Sequence, residues 1–496
     1  MKEYIPHVSN LLNGVMKGLP FLMPEFVLAL TFLLSIFCGL FLKGKSIITW
    51  WVTVLGIFSA AGLAVVQIAS PAVESIFFGM ILPDAHGAWL KLLIAFTCLL
   101  FCVFIYYNGA LRGHPKKIDD LLSVLLVVHI GLNMMATAVN WLMVYLAIEM
   151  VSVGSYIMVG YLARDNKQSE AAMKYVLFGT VCSAVMLYGL SLFYGYTGSL
   201  CFIEPAHLMG LLEMPPLVFM VATLFVLTGI GFKLAFVPFH FWTPDVYQGA
   251  PTPVTAFLST APKIAAIALL GRFVFAWTTV AEAELPLLLF YLLAAIAIAS
   301  MLLGNLAAMR QHQVKRMMAY SSIGHTGFLV MIVLVNADRS FPILFFFLTS
   351  YVIVNMGVFM IADYLEERFG IATMAQYQGL GKSYPMLMVA MTILMLSLIG
   401  FPPTVGFVAK LLAFSAVIGS YQQAGSMAWL LLLITGSITT VVALFFYFRI
   451  PLNAFLRESK SQIPKFSYNG LAILAILLSL LSLTFGLYPA LLLDIL

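Results

Sequence analysis

Apolar residues in this chain come in long unbroken stretches, and the stretches recur from one end to the other. A run of about 17 to 25 apolar residues is long enough to cross a hydrocarbon core of about 30 Å as a helix. The pattern predicts roughly fourteen such spans, over residues 22–42, 47–69, 88–107, 120–139, 141–162, 169–196, 215–238, 254–280, 286–309, 314–335, 341–364, 384–420, 426–448 and 468–492. The fold expected from this is an all-α polytopic membrane protein.

Two spans carry their own interruptions. In the seventh, Gly229, Gly231 and Pro238 weaken or remove helical hydrogen bonds around Lys233. In the twelfth, Gly400, Pro402, Pro403 and Gly406 do the same ahead of Lys410. Both read as broken helices bearing a lysine. Between them, the eighth span opens with Pro251 and Pro253 and places Thr255, Ser259 and Lys263 at i, i+4 and i+8, on one helix face. Pro262 frees the carbonyl of Leu258 beside that lysine. The seventh and twelfth spans are five apart, so in an alternating topology they cross in opposite directions. Spans 4–8 and 9–13 therefore read as two inverted five-helix repeats, over 120–280 and 286–448. Helices 1–3 (1–119) precede them and a last helix (449–496) follows. In transporters built this way, ion sites lie at discontinuous helices near the midplane.

Composition sharpens the class and excludes others. The chain is 62% hydrophobic and 9% charged, against roughly 25% charged in a soluble domain. Its formal charge of +5 matters less than its distribution. One set of loops holds Lys43, Lys45, Arg112, Lys116, Lys117, Arg164, Lys167, Arg310, Lys315, Arg316, Arg368, Lys382, Arg449, Arg457, Lys460 and Lys465. The other set holds Lys2, Lys17 and Arg339, with acids such as Glu74, Asp84, Glu204, Glu213, Glu282 and Glu284. By the positive-inside rule both termini lie outside. Residues 1–20 mix Lys2, Glu3, His7, Asn10 and Lys17 with no short apolar core and small-residue cleavage site, which does not read as a signal peptide. The five cysteines lie in or beside apolar runs without a CxxC spacing and read as packing residues. No loop is long enough for a soluble catalytic domain.

Ionisable residues inside a membrane are costly, about 2.5 to 3.5 kcal/mol on insertion scales, and mark wet or protein-lined interiors. The residues that stand out are Glu149 in the fifth span, Lys233, Lys263, His325 in the tenth span, and Lys410. Movement of ions or protons is the function they suggest. An ion pair of Glu149 with Lys233 is expected. The structural alternatives are a neutral, hydrogen-bonded Glu149, a Lys233 snorkelling to the interface and a His325 that only packs. His129 and Asn133 in the fourth span carry less weight. His240 and Asp245, between spans 7 and 8, suit either a cytoplasmic entry or a cap on the turn. Gly381-Lys382-Ser383 ends like a phosphate-binding loop, but Gln376 stands where that motif needs its first glycine. No nucleotide, iron–sulfur or haem spacing is present in the sequence.

With these residues in view, the stretches VPFHFWTPDVYQGAPTPVTAFLSTAPK, LAIEM, GFK, MAYSSIGHTG and GFPPTVGFVAK resemble the antiporter-like membrane subunits of respiratory complex I, the subunit N branch in particular. The resemblance covers nearly the whole chain. It implies a proton-translocating subunit of a bacterial NADH-quinone oxidoreductase in the cytoplasmic (inner) membrane. Glu149, Lys233, Lys263 and Lys410 would lie on the proton path, with His325 a looser match. It implies no cofactor in this chain, with FMN, iron–sulfur clusters and quinone in partner subunits. The implied partners are the antiporter-like paralogues, the small membrane subunits and lipid, and no nucleic acid. The competing readings are a multisubunit cation/proton antiporter and a non-conducting scaffold.

Overall fold

The computed structural model describes residues 12–42, 46–72, 74–114, 118–162, 166–279, 285–335, 337–458 and 467–496. Among the described residues the chain is helical, with turns and isolated bridges and no strand. In order, the long helices are α1 (Leu12–Phe41), α2 (Ser46–Ala69), α3 (Ala85–Tyr107), α4 (Asp119–Thr137), α5 (Trp141–Val159), α6 (Asn166–Thr197), α7 (Pro216–Leu234) and α8 (Thr252–Thr279). There follow α9 (Leu287–Met309), α10 (Val314–Val333), α11 (Ala337–Phe369), α12 (Pro385–Ile399), α13 (Val405–Ala424), α14 (Met427–Tyr447) and α15 (Gly470–Leu487).

Among the described residues, 13 helices are long and apolar enough to cross a membrane, and α10 and α12 are not among them. α12 has 15 residues and is the first half of the broken twelfth span, completed by α13. α10 departs from the expectation of an apolar span for a different reason. It opens with Lys315 and Arg316 and carries Ser321, Ser322, His325 and Thr326, yet every residue from Ser321 to Val333 is buried in protein. Lipid never meets its polar groups, so it need not be apolar.

The loops keep to two sets. Bridges join Ile81 to Ala138 and Asn140 to Cys201, all in loops of the lysine-poor set, and Gln313 to Thr373, both in the lysine-rich set. Of the charges behind that division, Lys2, Lys43, Lys45, Lys116, Lys117, Arg164, Glu282, Glu284, Lys460 and Lys465 lie outside the described residues, as does most of the stretch read for a signal peptide.

α8, α10 and α11 form the centre. The most apolar window of α8 is buried throughout, whereas α1 and α2 expose most of theirs. Backbones approach closely at the α9–α10 crossing, where a Cβ on Gly304 would sit 2.4 Å from the nitrogen of Gly324. Small residues at such crossings permit the contact that drives helix association in lipid. α10 is thereby held against α9, with His325 and Thr326 inside the protein.

Candidate functional site

The first break lies later than the glycines suggest. α7 continues through Gly229 and Gly231 and stops at Ala235, whose φ of 58° is left-handed. The glycines serve contact instead: a Cβ on Gly231 would lie 2.5 Å from the Phe236 ring, and one on Gly229 would strike Met186. A left-handed alanine costs about 1 to 2 kcal/mol, so the surrounding packing enforces the stop. Lys233 lies in the last turn, 3% exposed. Its ammonium sits 5.6 Å from the centre of the Phe232 ring and has no hydrogen-bond partner among the described residues.

Lys263, 1% exposed in mid-α8, is held from α10. Its ammonium donates to the Ser322 carbonyl at 2.9 Å and to the Thr326 hydroxyl at 2.6 Å. Thr326 Oγ1 in turn stands 2.9 Å from two carbonyls, that of Leu234 at the α7 break and that of Ser322. A hydroxyl has one proton to donate, so Thr326 satisfies one of them at a time while accepting from Lys263. The expected polar face of α8 is partly diverted. Thr255 donates to the Tyr247 carbonyl at 3.0 Å and Ser259 to that of Ala256 at 2.7 Å.

The second break is built around Lys410. Gly400 ends α12 with a φ of 87°, and a Cβ there would lie 2.8 Å from Lys410 Cδ. The Lys410 ammonium donates to the carbonyls of Leu398 and Ile399 at 3.0 and 2.8 Å. These are orphan carbonyls at a helix C-terminus, where a cation is favoured. Lys410 and His325 line one small cavity of about 20 Å³ with Ser350, Tyr351 and Ser397, room for about one water. Tyr351 donates to Ser322 Oγ at 2.8 Å. The Tyr447 hydroxyl bonds Ser321 and approaches His325 Nε2 at 3.4 Å. Polar groups therefore run from the α7 break through Thr326, Lys263, Ser322 and Tyr351 to the cavity shared by His325 and Lys410.

One expectation needs correction. Glu149 and Lys233 form no ion pair: no bridge joins them, and Glu149 Oε1 and Lys233 Nζ both lack partners among the described residues. Glu149 is half-buried on a stripe of α5 that also carries the exposed Leu142, Leu146 and Val153, so it faces partly outward. Asp245 is a clamp. It accepts from Lys174 of α6 and Arg316 of α10, each at 2.7 Å. Burial pushes its carboxyl up, but those two cations outweigh burial and hold it below the usual range. It stays charged and ties the segment after the break to α6 and α10. His240 is buried, its Nδ1 unpartnered among the described residues.

Thr326, Tyr351 and Tyr447 were not singled out by sequence; only the i+4 spacing of Ser322 and Thr326 beside His325 hints at them. Among the described residues no group of three or more His, Cys, Asp or Glu side chains is placed to hold a metal ion.

Comparison with known proteins agrees with this architecture. Residues 138–442 match the family described as NADH:quinone oxidoreductase/Mrp antiporter, TM. The chain is 36% identical to NADH-quinone oxidoreductase subunit N 2 of Chloroherpeton thalassium, over 97% of this chain and 94% of that one. It is 36% identical to subunit N of Chlorobium chlorochromatii, over 91% and 88%. A chain of respiratory complex I from Thermus thermophilus superposes with a TM-score of 0.77 at 28% identity, covering 95% of this chain and 99% of that one. The broken helices, the buried lysines and these matches over nearly the full length place the chain in the NADH:quinone oxidoreductase/Mrp antiporter membrane family, among its subunit N members.

Proposed function

We propose that this chain is a proton-translocating membrane subunit of a bacterial NADH-quinone oxidoreductase, and that protons move laterally through Lys233, Lys263, His325 and Lys410. Glu149 is the carboxylate that adjusts the charge of Lys233 from the outer side. The observation that carries this reading is the pair of hydrogen bonds at the Thr326 hydroxyl, one accepted from the ammonium of Lys263 and one donated to the Leu234 carbonyl at the α7 break. A change at the break thereby reaches the central lysine through one hydroxyl.

The energies are commensurate. Moving one charge against 100 mV costs about 2.3 kcal/mol. A hydrogen bond to a charged group is worth about 1.5 to 3 kcal/mol. Making or releasing the Thr326 contact is therefore enough to hold or release a proton against such a potential. In this reading 120–280 and 286–448 are the inverted repeats, the lysine-rich loops face the cytoplasm and both termini lie outside. The electron-carrying groups, FMN, iron–sulfur clusters and quinone, belong to partner subunits. The exposed apolar faces of α1, α2, α14 and α15 meet other membrane subunits and lipid.

The test is to reconstitute the complex containing this chain and compare NADH-driven proton uptake with sodium–proton exchange in vesicles lacking NADH. Proton movement that requires NADH is expected. Cation exchange without NADH would make the chain an antiporter and overturn the proposal.

A further inference from the structure

A second set of buried ionisable groups lies in α1–α4, ahead of the segment 138–442 that matches the family. Lys91 of α3 pairs with Glu25 of α1 at 2.7 Å, with side chains 2% and 5% exposed. Lys91 also donates to Gln67 Oε1 of α2 at 3.3 Å. Gln67 Nε2 reaches the Phe21 carbonyl, and Phe21 lines a cleft of about 500 Å³ with Lys17 and Glu74. That cleft belongs to the lysine-poor face, where Asp84 and Arg272 also pair.

Deeper in, His129 of α4 is 0% exposed and neither ring nitrogen has a partner among the described residues. One turn away the Asn133 Oδ1 is likewise unpartnered among them. A buried imidazole and amide cost free energy unless water reaches them. Helix register places them on a line. A Cβ on Gly87 would meet Thr137 at 2.7 Å, so one turn inward along these antiparallel helices brings Lys91 level with Asn133. His129 lies one turn deeper. Arg272 of α8 donates to the Ala136 carbonyl of α4 at 2.6 Å. From that bond His129 is about 10 Å down α4 and Lys263 about 14 Å down α8, nearly the same depth, and α4 packs on α8.

We propose that His129 and the Lys91–Glu25 pair form a proton outlet from Lys263 to the cleft at Phe21 on the lysine-poor face. This rests on the relay reading above. Lys263 gives a proton through water to one ring nitrogen of His129, which releases one from the other. That proton neutralises the Glu25 carboxylate, then leaves to the cleft, and Glu25 returns to its pair with Lys91. Lys263 is recharged from the relay.

The experiment measures proton yield per NADH in proteoliposomes for the assembled complex bearing His129→Gln, the double variant Glu25→Gln/Lys91→Met, or Lys263→Met. The double variant removes both charges and so leaves no unpaired ion buried. The outlet predicts that all three assemble and that the first two lose as much yield as Lys263→Met. Wild-type yield in the first two, with loss only in Lys263→Met, would overturn the outlet and leave the relay standing. Wild-type yield in Lys263→Met would sink the relay itself and the outlet with it. Failure of the double variant to assemble would assign the pair to holding α1–α3 together and also overturn the outlet.

Discussion

Replacing Thr326 by valine tests the joint between the α7 break and Lys263. Valine keeps the shape and deletes the oxygen that accepts from the Lys263 ammonium at 2.6 Å and stands 2.9 Å from the Leu234 carbonyl. A hydrogen bond to a charged group is worth about 1.5 to 3 kcal/mol, so the hold on the ammonium weakens by a factor of about 10 to 150. Ser322 still accepts from Lys263 at 2.9 Å, so the lysine keeps one anchor and the helices keep their packing. Thr326→Val is therefore expected to assemble and to lose proton yield per NADH in proteoliposomes, whereas Thr326→Ser, which retains the hydroxyl, restores it. Equal yields in Thr326→Val and wild type, with assembly verified on a native gel, would refute the coupling of break and lysine through this hydroxyl.

Two further outcomes are expected. Gly400→Ala puts a side chain at a φ of 87° and 2.8 Å from Lys410 Cδ. It should cost about 1 to 3 kcal/mol of backbone strain and lower proton yield by displacing Lys410, read by thermal denaturation and pumping of one preparation. His207, in the short helix Pro205–Leu212 between α6 and α7, accepts from Trp141 Nε1 at 3.1 Å and donates from Nδ1 to the Ser199 carbonyl at 2.8 Å. Burial pushes it below the ordinary histidine value, outweighing the Ser199 bond. The unfolded chain then binds the extra proton, so this stabilisation is complete above a pH of about 6.5 and lost as pH falls below it. His207→Asn should lower the denaturation temperature at neutral pH and flatten its decline on acidification; an unchanged slope would remove His207 as the cause.

Lys233, Lys263 and Lys410 were legible because a charge within an apolar run is too costly to face lipid and so marks a protein-lined or wet interior. The breaks were legible as regions, from proline and glycine, but not residue by residue. Gly229 and Gly231 turned out to admit Met186 and Phe236, while Ala235 makes the turn. Thr326 was hidden because a helical threonine hydroxyl ordinarily bonds its own i−4 carbonyl, and Tyr351 and Tyr447 because a tyrosine in an apolar span reads first as packing; only tertiary packing reveals their partners. Glu149 was expected to meet Lys233, but the fifth span has an outward stripe that sequence periodicity alone does not orient. Lys91 and Glu25 lie near the ends of the predicted spans 88–107 and 22–42, where a charged side chain reads as interfacial, so their pairing needed coordinates. α10 reads as an ordinary span although protein, not lipid, surrounds its second half.

Everything proposed for the relay turns on whether a buried charge at position 263 carries protons in the assembled complex. The deciding quantity is the number of protons moved per NADH oxidised by Lys263→Met complex in sealed proteoliposomes, beside wild type prepared identically. Methionine removes a costly buried charge and fills much of its volume, so assembly is expected to survive. An intact complex with a reduced proton yield is predicted; a wild-type yield would contradict the role of Lys263.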